Sequence, residues 1–267
     1  MIIGNRNFDT KNHTYVMGIL NVTPDSFYDG GECENTDAAL FKAEEMIKEG
    51  ADIIDVGGES TRPGATEVSL DEEIARVIPI ISKLKSEFNI PVSIDTYKAR
   101  TAKEAIMAGA DLINDIWGLK KDPDMKSVIA EADIPCCLMH NRIEATPLCL
   151  DELFSEMSLI ADAAITAGIK EDKIILDPGI GFGKANEESL RILANMKELK
   201  LLGFPWLLGC SRKSVIGDVL NLEKNERLEG TLALTTLATE AGASFVRVHD
   251  VRENVRIIKM VEALKNV

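Results

Sequence analysis

Eight short apolar runs recur along the chain, and each ends in polar or reactive residues. Val16-Met17-Gly18-Ile19-Leu20 runs into Asn21, and Ile53-Ile54-Asp55-Val56 into Gly57-Gly58-Glu59-Ser60-Thr61-Arg62. Val92-Ser93-Ile94 leads to Asp95-Thr96, Leu112-Ile113 to Asn114-Asp115, and Cys136-Cys137-Leu138-Met139 to His140-Asn141. Ile174-Ile175-Leu176 ends at Asp177-Pro178-Gly179, Trp206-Leu207-Leu208 at Gly209-Cys210-Ser211-Arg212-Lys213, and Phe245-Val246 at Arg247-Val248-His249-Asp250. Short apolar runs bounded by turn residues predict buried strands.

The segments between the runs have helical spacing. Residues 37–49 place Ala38, Phe41, Ala43, Met46 and Ile47 mostly on one side, and Gly50 stops the turn. Further helices are predicted over 69–88, 98–108, 123–132, 150–167, 186–201, 225–240 and 253–265, with a short extra one over 215–220. Ser69 with Glu72 three places on reads as a capping box.

Strand and helix thus alternate eight times in about 250 residues, which predicts an α/β protein, a (β/α)8 TIM barrel. An open doubly wound sheet is the alternative, usually marked by G-x-G-x-x-G after its first strand. The first strand here ends in Asn21-Val22-Thr23-Pro24 instead. No linker divides the chain, so one domain over 1–267 is expected, with a short hairpin between Ile2 and Tyr15 crossing the barrel floor. The connections over 21–34 and 57–68 are long, Gly- and Pro-bearing and aperiodic, as functional loops tend to be.

Composition narrows the function. The net charge of −14, from 30 basic and 44 acidic residues, argues against nucleic acid and anionic membrane surfaces. A small anion remains compatible with a local basic cluster. No apolar run approaches the roughly 20 residues that cross a bilayer. The opening Met1-Ile2-Ile3-Gly4-Asn5-Arg6 lacks the form of a signal peptide. Cys136 and Cys137 lie inside an apolar run, as reduced core thiols do, so a cytoplasmic protein is expected. There is no C-x-x-C, and His13, His140 and His249 are far apart, which disfavours zinc.

In a barrel, chemistry gathers at the carboxyl ends of the strands. Asp55, Asp95, Asn114, Asp115, Asp177, Lys213, Arg247 and His249 stand there and would be costly to bury unpaired. Each alone has a structural reading: an Asp before Pro-Gly is commonly a turn residue, Asn114-Asp115 can be rim glue, and His140 and Cys210 can be packing residues. Together they suit one ligand. Asp177 and Asn114 offer acceptors and a mixed donor for the edge of a pterin or guanine-like ring, with Lys213 answering a ring carbonyl or nitrogen. Arg62, Arg247 and His249, cationic or able to become so, suit phosphate oxygens, and residues 209–214 lead into a predicted helix start that attracts an anion. A Mg²⁺ held by substrate phosphates and one protein oxygen would leave little trace in sequence.

The ordered set of motifs resembles the dihydropteroate synthase family. Met17-Gly18-Ile19-Leu20-Asn21-Val22-Thr23-Pro24-Asp25-Ser26-Phe27 is similar to its first signature, and Asp55 to Gly64 to its second. Ser93 to Thr96, Ile113 to Asp115, Leu138 to His140, Asp177 to Lys184, Ser211 to Lys213 and Arg247 to Asp250 follow in order. Tyr28 and Cys210 depart from the common pattern. The resemblance implies a cytoplasmic, homodimeric transferase of folate synthesis and sulfonamide target. It would condense 6-hydroxymethyl-7,8-dihydropterin pyrophosphate with p-aminobenzoate to 7,8-dihydropteroate and pyrophosphate.

The resemblance also implies roles. Asp95, Asn114, Asp177 and Lys213 would bind the pterin, with Ile116, Met139, Phe182 and Gly209 around it. Asn21, Arg62, Arg247 and His249 would meet pyrophosphate, Asn21 with Mg²⁺. Phe27, Thr61, Pro63 and Ser214 would form the p-aminobenzoate site. Asp29, Arg62, Asp95 and Lys213 would carry the catalytic work. A pterin-binding methyltransferase barrel would share Asn114 and Asp177 but not need Thr61-Arg62-Pro63, Ser211-Arg212-Lys213 or Arg247-Val248-His249; a non-catalytic pterin-binding paralogue is the other alternative.

Overall fold

A computed structural model describes residues 1–22, 32–59, 67–143 and 147–265, with the side chains of 32–35 excepted. Ten strands and nine α-helices are formed among them. The short β1 (Ile2–Ile3) and β2 (Arg6–Asn7) pair antiparallel as the expected hairpin. Eight strands then build one parallel sheet: β3 (Tyr15–Asn21), β4 (Ile53–Gly57), β5 (Val92–Asp95), β6 (Leu112–Asp115), β7 (Cys136–Met139), β8 (Ile174–Asp177), β9 (Leu207–Leu208) and β10 (Phe245–Val248). Their spatial order is β8-β7-β6-β5-β4-β3-β10-β9. A parallel bridge between Leu176 and Trp206, with the Leu176 N–H donating to Pro205 O at 3.0 Å, joins β8 to the residue before β9 and closes the (β/α)8 barrel.

The helices are α1 (Glu32–Glu49), α2 (Leu70–Glu87), α3 (Ala99–Met107), α4 (Met125–Ala132), α5 (Leu150–Thr166), α6 (Asn186–Ala194), α7 (Ser214–Leu220), α8 (Leu228–Ala241) and α9 (Val251–Lys265). Most lie where the periodicity predicts. Ser69 caps α2 by accepting the Glu72 N–H at 3.3 Å. Three boundaries differ. α1 starts five residues earlier than its apolar spacing indicates, because its first turn is polar. α6 stops at Ala194 and gives way to 3-10 turns over Met196–Leu202, and α8 starts at Leu228 after a 3-10 turn at Lys224–Glu226.

Successive strand side chains point to opposite faces, and the core divides accordingly. Val16, Leu20, Ile54, Val56, Val92, Ile94, Ile113, Leu138, Leu176 and Leu208 face outward into the large cluster shared with the helices. Met17, Ile53, Leu112, Cys137, Ile175, Leu207 and Phe245 form a separate buried cluster inside the barrel. Ile3 and Phe8 from the hairpin region complete it, with Phe8 stacking edge-on against Tyr15 at 4.6 Å. The floor is thus plugged by apolar side chains.

Candidate active site

One inward position beyond the apolar cluster, the barrel lining turns polar. The alternation that points Met17 inward also points Asn21 inward, and by the same parity Asp55, Asp95, Asn114, Met139, Asp177, Gly209 and Arg247. Contacts across the barrel bear this out. Arg247 on β10 reaches Asp55 on β4 and Asp95 on β5, although β3 lies between them in the sheet.

That cluster is tightly built. The Arg247 Nε donates to Asp55 Oδ2 and its terminal nitrogen to Asp95 Oδ2, both at 2.6 Å. Asn114 Nδ2 donates to the same Asp55 oxygen at 3.2 Å. Asp55 is fully buried, and the second oxygens of Asp55 and Asp95 are buried without a hydrogen-bond partner in the protein. Burial pushes the Asp95 carboxyl up to about 7, although the Arg247 charge opposes the rise. Two carboxylates keep Arg247 protonated far above the ordinary guanidinium range against its burial.

Asp177 sits across from this cluster at the end of β8. Its Oδ1 accepts the Gly179 N–H at 2.7 Å, so a turn contact occupies one oxygen of the expected acceptor pair. Its Oδ2 lies 3.4 Å from where a β-carbon on Gly209 would stand, so glycine keeps that side of the carboxylate open. Burial raises the Asp177 carboxyl, opposed by the Lys213 charge.

The loop after β8 is held by backbone geometry no other residue allows. Gly179 has φ +68°, and a β-carbon there would lie 1.9 Å from the His140 carbonyl oxygen. Lys184 ties the loop together from beneath, its Nζ donating to the carbonyls of His140, Gly179 and Phe182 at 2.9–3.0 Å. Burial brings that amine down to about 7. Lys213 approaches from the next loop, donating to Ile180 O at 2.5 Å and lying 4.5 Å from the Phe182 ring centroid. Burial lowers its ammonium to about 8, with Asp177 working against the fall.

Beside these groups Tyr97, Ile116 and Met139 form a small buried apolar cluster, with Trp117 and Phe182 packed against it. A flat ring thus has polar groups for its edge and an apolar wall for its face.

Other predicted residues are sorted by the structure. Asn21 ends β3 half-buried beside Gly57. Burial and then the charges of Arg247, Lys224 and Arg212 drive the His249 imidazole down to about 3, which favours its neutral form. Ser211 Oγ accepts the backbone N–H of His249 at 3.2 Å and lies 3.0 Å from its Nδ1, which holds the ring in place. Ser214 is exposed at the start of α7. Asp115 points out of the barrel, where it accepts the Trp117 and Leu119 N–H groups as a turn residue. His140 is fully buried and its Nε2 lies 2.7 Å from Glu156 Oε2, while its backbone carbonyl lies against the Gly179 turn. Phe27, Asp29, Thr61, Arg62 and Pro63 lie outside the described residues.

Three contributors escaped the sequence reading of the site. In the sequence Asp55 is one polar strand end among several, Lys184 only closes a motif, and Tyr97 carries no signal of its own. For Asp55 the alternation already carried the signal: it shares the inward parity of Ile53.

The chain matches the family model described as pterin binding enzyme over residues 17–249. It is 54% identical to the dihydropteroate synthase of Clostridium beijerinckii over 267 residues, covering 99% of each chain. It is 51% identical to that of Bacillus subtilis, covering 96% of this chain and 90% of the other. Among solved structures, Clostridium difficile dihydropteroate synthase in the presence of pteroic acid superposes with a TM-score of 0.93 at 50% identity, covering 97% of this chain and 99% of that one. The Xanthomonas albilineans enzyme with 4-aminobenzoic acid gives 0.92 at 39% identity, covering 96% and 94%. The arrangement at the barrel mouth and these likenesses agree, and the chain belongs to the dihydropteroate synthase family of pterin-binding enzymes.

Proposed function

We infer that this protein condenses 6-hydroxymethyl-7,8-dihydropterin pyrophosphate with p-aminobenzoate, giving 7,8-dihydropteroate and pyrophosphate. The observation that carries the reading is the inward set Asp95, Asn114, Asp177, Lys213 and Arg247 around one opening, walled by Ile116, Met139 and Phe182. Asn114 and the free oxygen of Asp177 would read the amino-pyrimidinone edge, Asp95 the far ring edge, and Lys213 a ring carbonyl or nitrogen. Gly209 leaves room beside Asp177.

The leaving group would lie toward Asn21, Arg62, Arg247 and His249. Arg247 stays charged because Asp55 and Asp95 hold it, and His249 would offer a neutral imidazole. The cation left on the pterin methylene would face the carboxylate cluster, and the aniline nitrogen would attack it without a protein nucleophile. Phe27, Thr61, Pro63 and Ser214 would receive p-aminobenzoate, and Asp29 would support the developing charge.

A Mg²⁺ fits one part of this mouth. Among the described residues there is no group of three His, Cys, Asp or Glu side chains placed to cage a metal. A single amide oxygen, Asn21 Oδ1, stands beside Gly57 where no side chain intervenes before Asp95. That donor set suits a hard ion carried mainly by substrate phosphates and water. When bound, the ion would neutralise the departing pyrophosphate.

We also propose that the barrel acts as one domain and pairs as a homodimer. Exposed Leu190 on α6, Val219 and Leu220 on α7 and Leu237 on α8 support an apolar contact face. Light scattering of the purified protein tests it. No described helix is long and apolar enough to cross a membrane. The free buried thiols Cys136, Cys137 and Cys210 support a cytoplasmic setting.

The deciding assay mixes protein, Mg²⁺, pterin pyrophosphate and p-aminobenzoate. Dihydropteroate is expected; pterin binding without product would instead favour a non-catalytic pterin-binding protein.

A further inference from the structure

The segment 178–184 joins the end of β8 to the residues before α6, and three groups at the mouth depend on it. The Gly179 N–H fixes one oxygen of Asp177 at 2.7 Å. The Phe182 ring packs against Tyr97, Ile116 and Met139. The Ile180 carbonyl accepts from Lys213 Nζ at 2.5 Å. An edge acceptor, a ring face and a cation are thus all set by one short piece of chain.

Lys184 holds that piece of chain. Its ammonium has three hydrogens, and the carbonyls of Gly179, Phe182 and His140 take one each, at 2.9, 3.0 and 3.0 Å. Two of these acceptors belong to the segment and the third follows β7, so the amine ties the segment to the neighbouring strand. The His140 N–H donates to the Asp177 carbonyl at 2.8 Å and binds the same strand end a second time. Left-handed backbone at Gly179, Gly181 and Gly183 folds the segment back so that the carbonyls converge on the amine. Lys184 is buried, and taking an ammonium out of water is costly unless its hydrogens are all bonded. A plain connection between β8 and α6 has no need of a buried charge.

We propose that Lys184 is a positioning residue for the pterin: through the Gly179 and Phe182 carbonyls it sets where the Asp177 carboxylate and the Phe182 ring stand. The proposal rests on the assignment of Asp177 and Phe182 to the pterin. Asn21, Arg247 and His249, assigned to pyrophosphate, lie on β3, on β10 and just after β10, and none of the three hydrogen bonds of Lys184 reaches them. The two parts of the substrate therefore respond differently. Lys184→Met keeps an unbranched buried stem and removes the ammonium.

Calorimetry tests it, with the Kd of Lys184→Met measured for 6-hydroxymethylpterin and for inorganic pyrophosphate with Mg²⁺. The expected result is a rise of about tenfold in the pterin Kd, with the pyrophosphate Kd within about twofold of wild type. Phe182→Ala gives the second readout: in that background Lys184→Met should cost less pterin affinity than it does alone, because the ring it positions is gone. Lys184→Arg, which keeps a charged donor, replaces Lys184→Met if the latter does not fold, with the same split expected. An unchanged pterin Kd, with the wild type binding pterin, overturns the proposal alone. Losses of similar size for pterin and pyrophosphate overturn it as well, as does a Lys184 loss undiminished by Phe182→Ala, because both mark a merely structural role. A wild type that binds no pterin overturns both this proposal and the functional reading beneath it.

Discussion

The floor and the mouth of the barrel are made by the same eight strands, yet they differ in every physical respect. At the floor, Met17, Ile53, Leu112, Cys137, Ile175, Leu207 and Phe245 bury apolar surface under Ile3 and Phe8. At the mouth, two residues or roughly 6–7 Å further along β4, β6, β8 and β10 and four along β3, the inward positions are Asp55, Asn114, Asp177, Arg247 and Asn21, joined by Asp95 of β5. The first set removes hydrocarbon from water and stabilises the fold. The second removes charge from water, which costs stability unless each group is paired. Pairing is incomplete, since one oxygen each of Asp55 and Asp95 has no protein partner. The lesson is that an apolar layer carries a polar layer whose hydrogen bonds the protein alone does not complete.

The comparison is broken most severely at Arg247. Arg247→Ala leaves Asp55 and Asp95 buried without their cation, at about 3–5 kcal/mol or roughly 10²–10³-fold. The expected outcome is a much larger loss of pterin pyrophosphate binding than of bare pterin binding; equal losses in calorimetry would remove Arg247 from the pyrophosphate. At the floor, Phe245→Ala should cost about 3–5 kcal/mol of stability through the cavity it leaves. Urea denaturation would show this, while the pterin Kd of the folded fraction stays put; a matching loss of affinity would mean floor and mouth are not separable. Asp177→Asn should weaken pterin binding by about 10–100-fold, because a charged acceptor is replaced. Unchanged affinity would exclude Asp177 from the ring edge.

The mildest effect is in pH. Burial, then the Lys184 charge, holds His140 down to about 4, with Glu156 opposing, and His249 is held to about 3. Both lie below the ordinary histidine value of about 6.5, so the unfolded chain takes up protons first as pH falls. The stability these neutral rings contribute is therefore whole above about 6.5 and declines toward pH 4. His140→Gln should flatten part of the fall in urea midpoint between pH 7 and 5; an identical slope would show that His140 is not buried neutral.

Much of this was legible beforehand for a local reason. The spacing of apolar residues put all eight barrel strands within a residue or two, and Ser69 marked the start of α2 by accepting the Glu72 N–H, although the Glu72 carboxylate turns to Arg76 instead of completing a capping box. Helix ends were less legible where the chain tightens into 3-10 turns, as at Met196–Leu202, since those turns keep much of the helical spacing. Asn114 and Asp115 show the limit most sharply. Both are polar, adjacent and at a strand end, yet one faces the pocket and the other caps a turn outside it. The alternation along β6 separates them, provided the parity is counted from Leu112.

The sequence alone determined the barrel, the end of it that carries chemistry and the family, because periodicity and motif order are properties of neighbouring residues. Tertiary structure decided what each polar group is. Arg247 and Asp95 are 152 positions apart and meet only when the barrel closes. The His249 imidazole is pushed down, Lys184 turns to backbone carbonyls and Asp177 gives one oxygen to Gly179 only inside that closed interior. Burial and distant charges set protonation and pairing, and both arise from long-range contacts that no local pattern encodes.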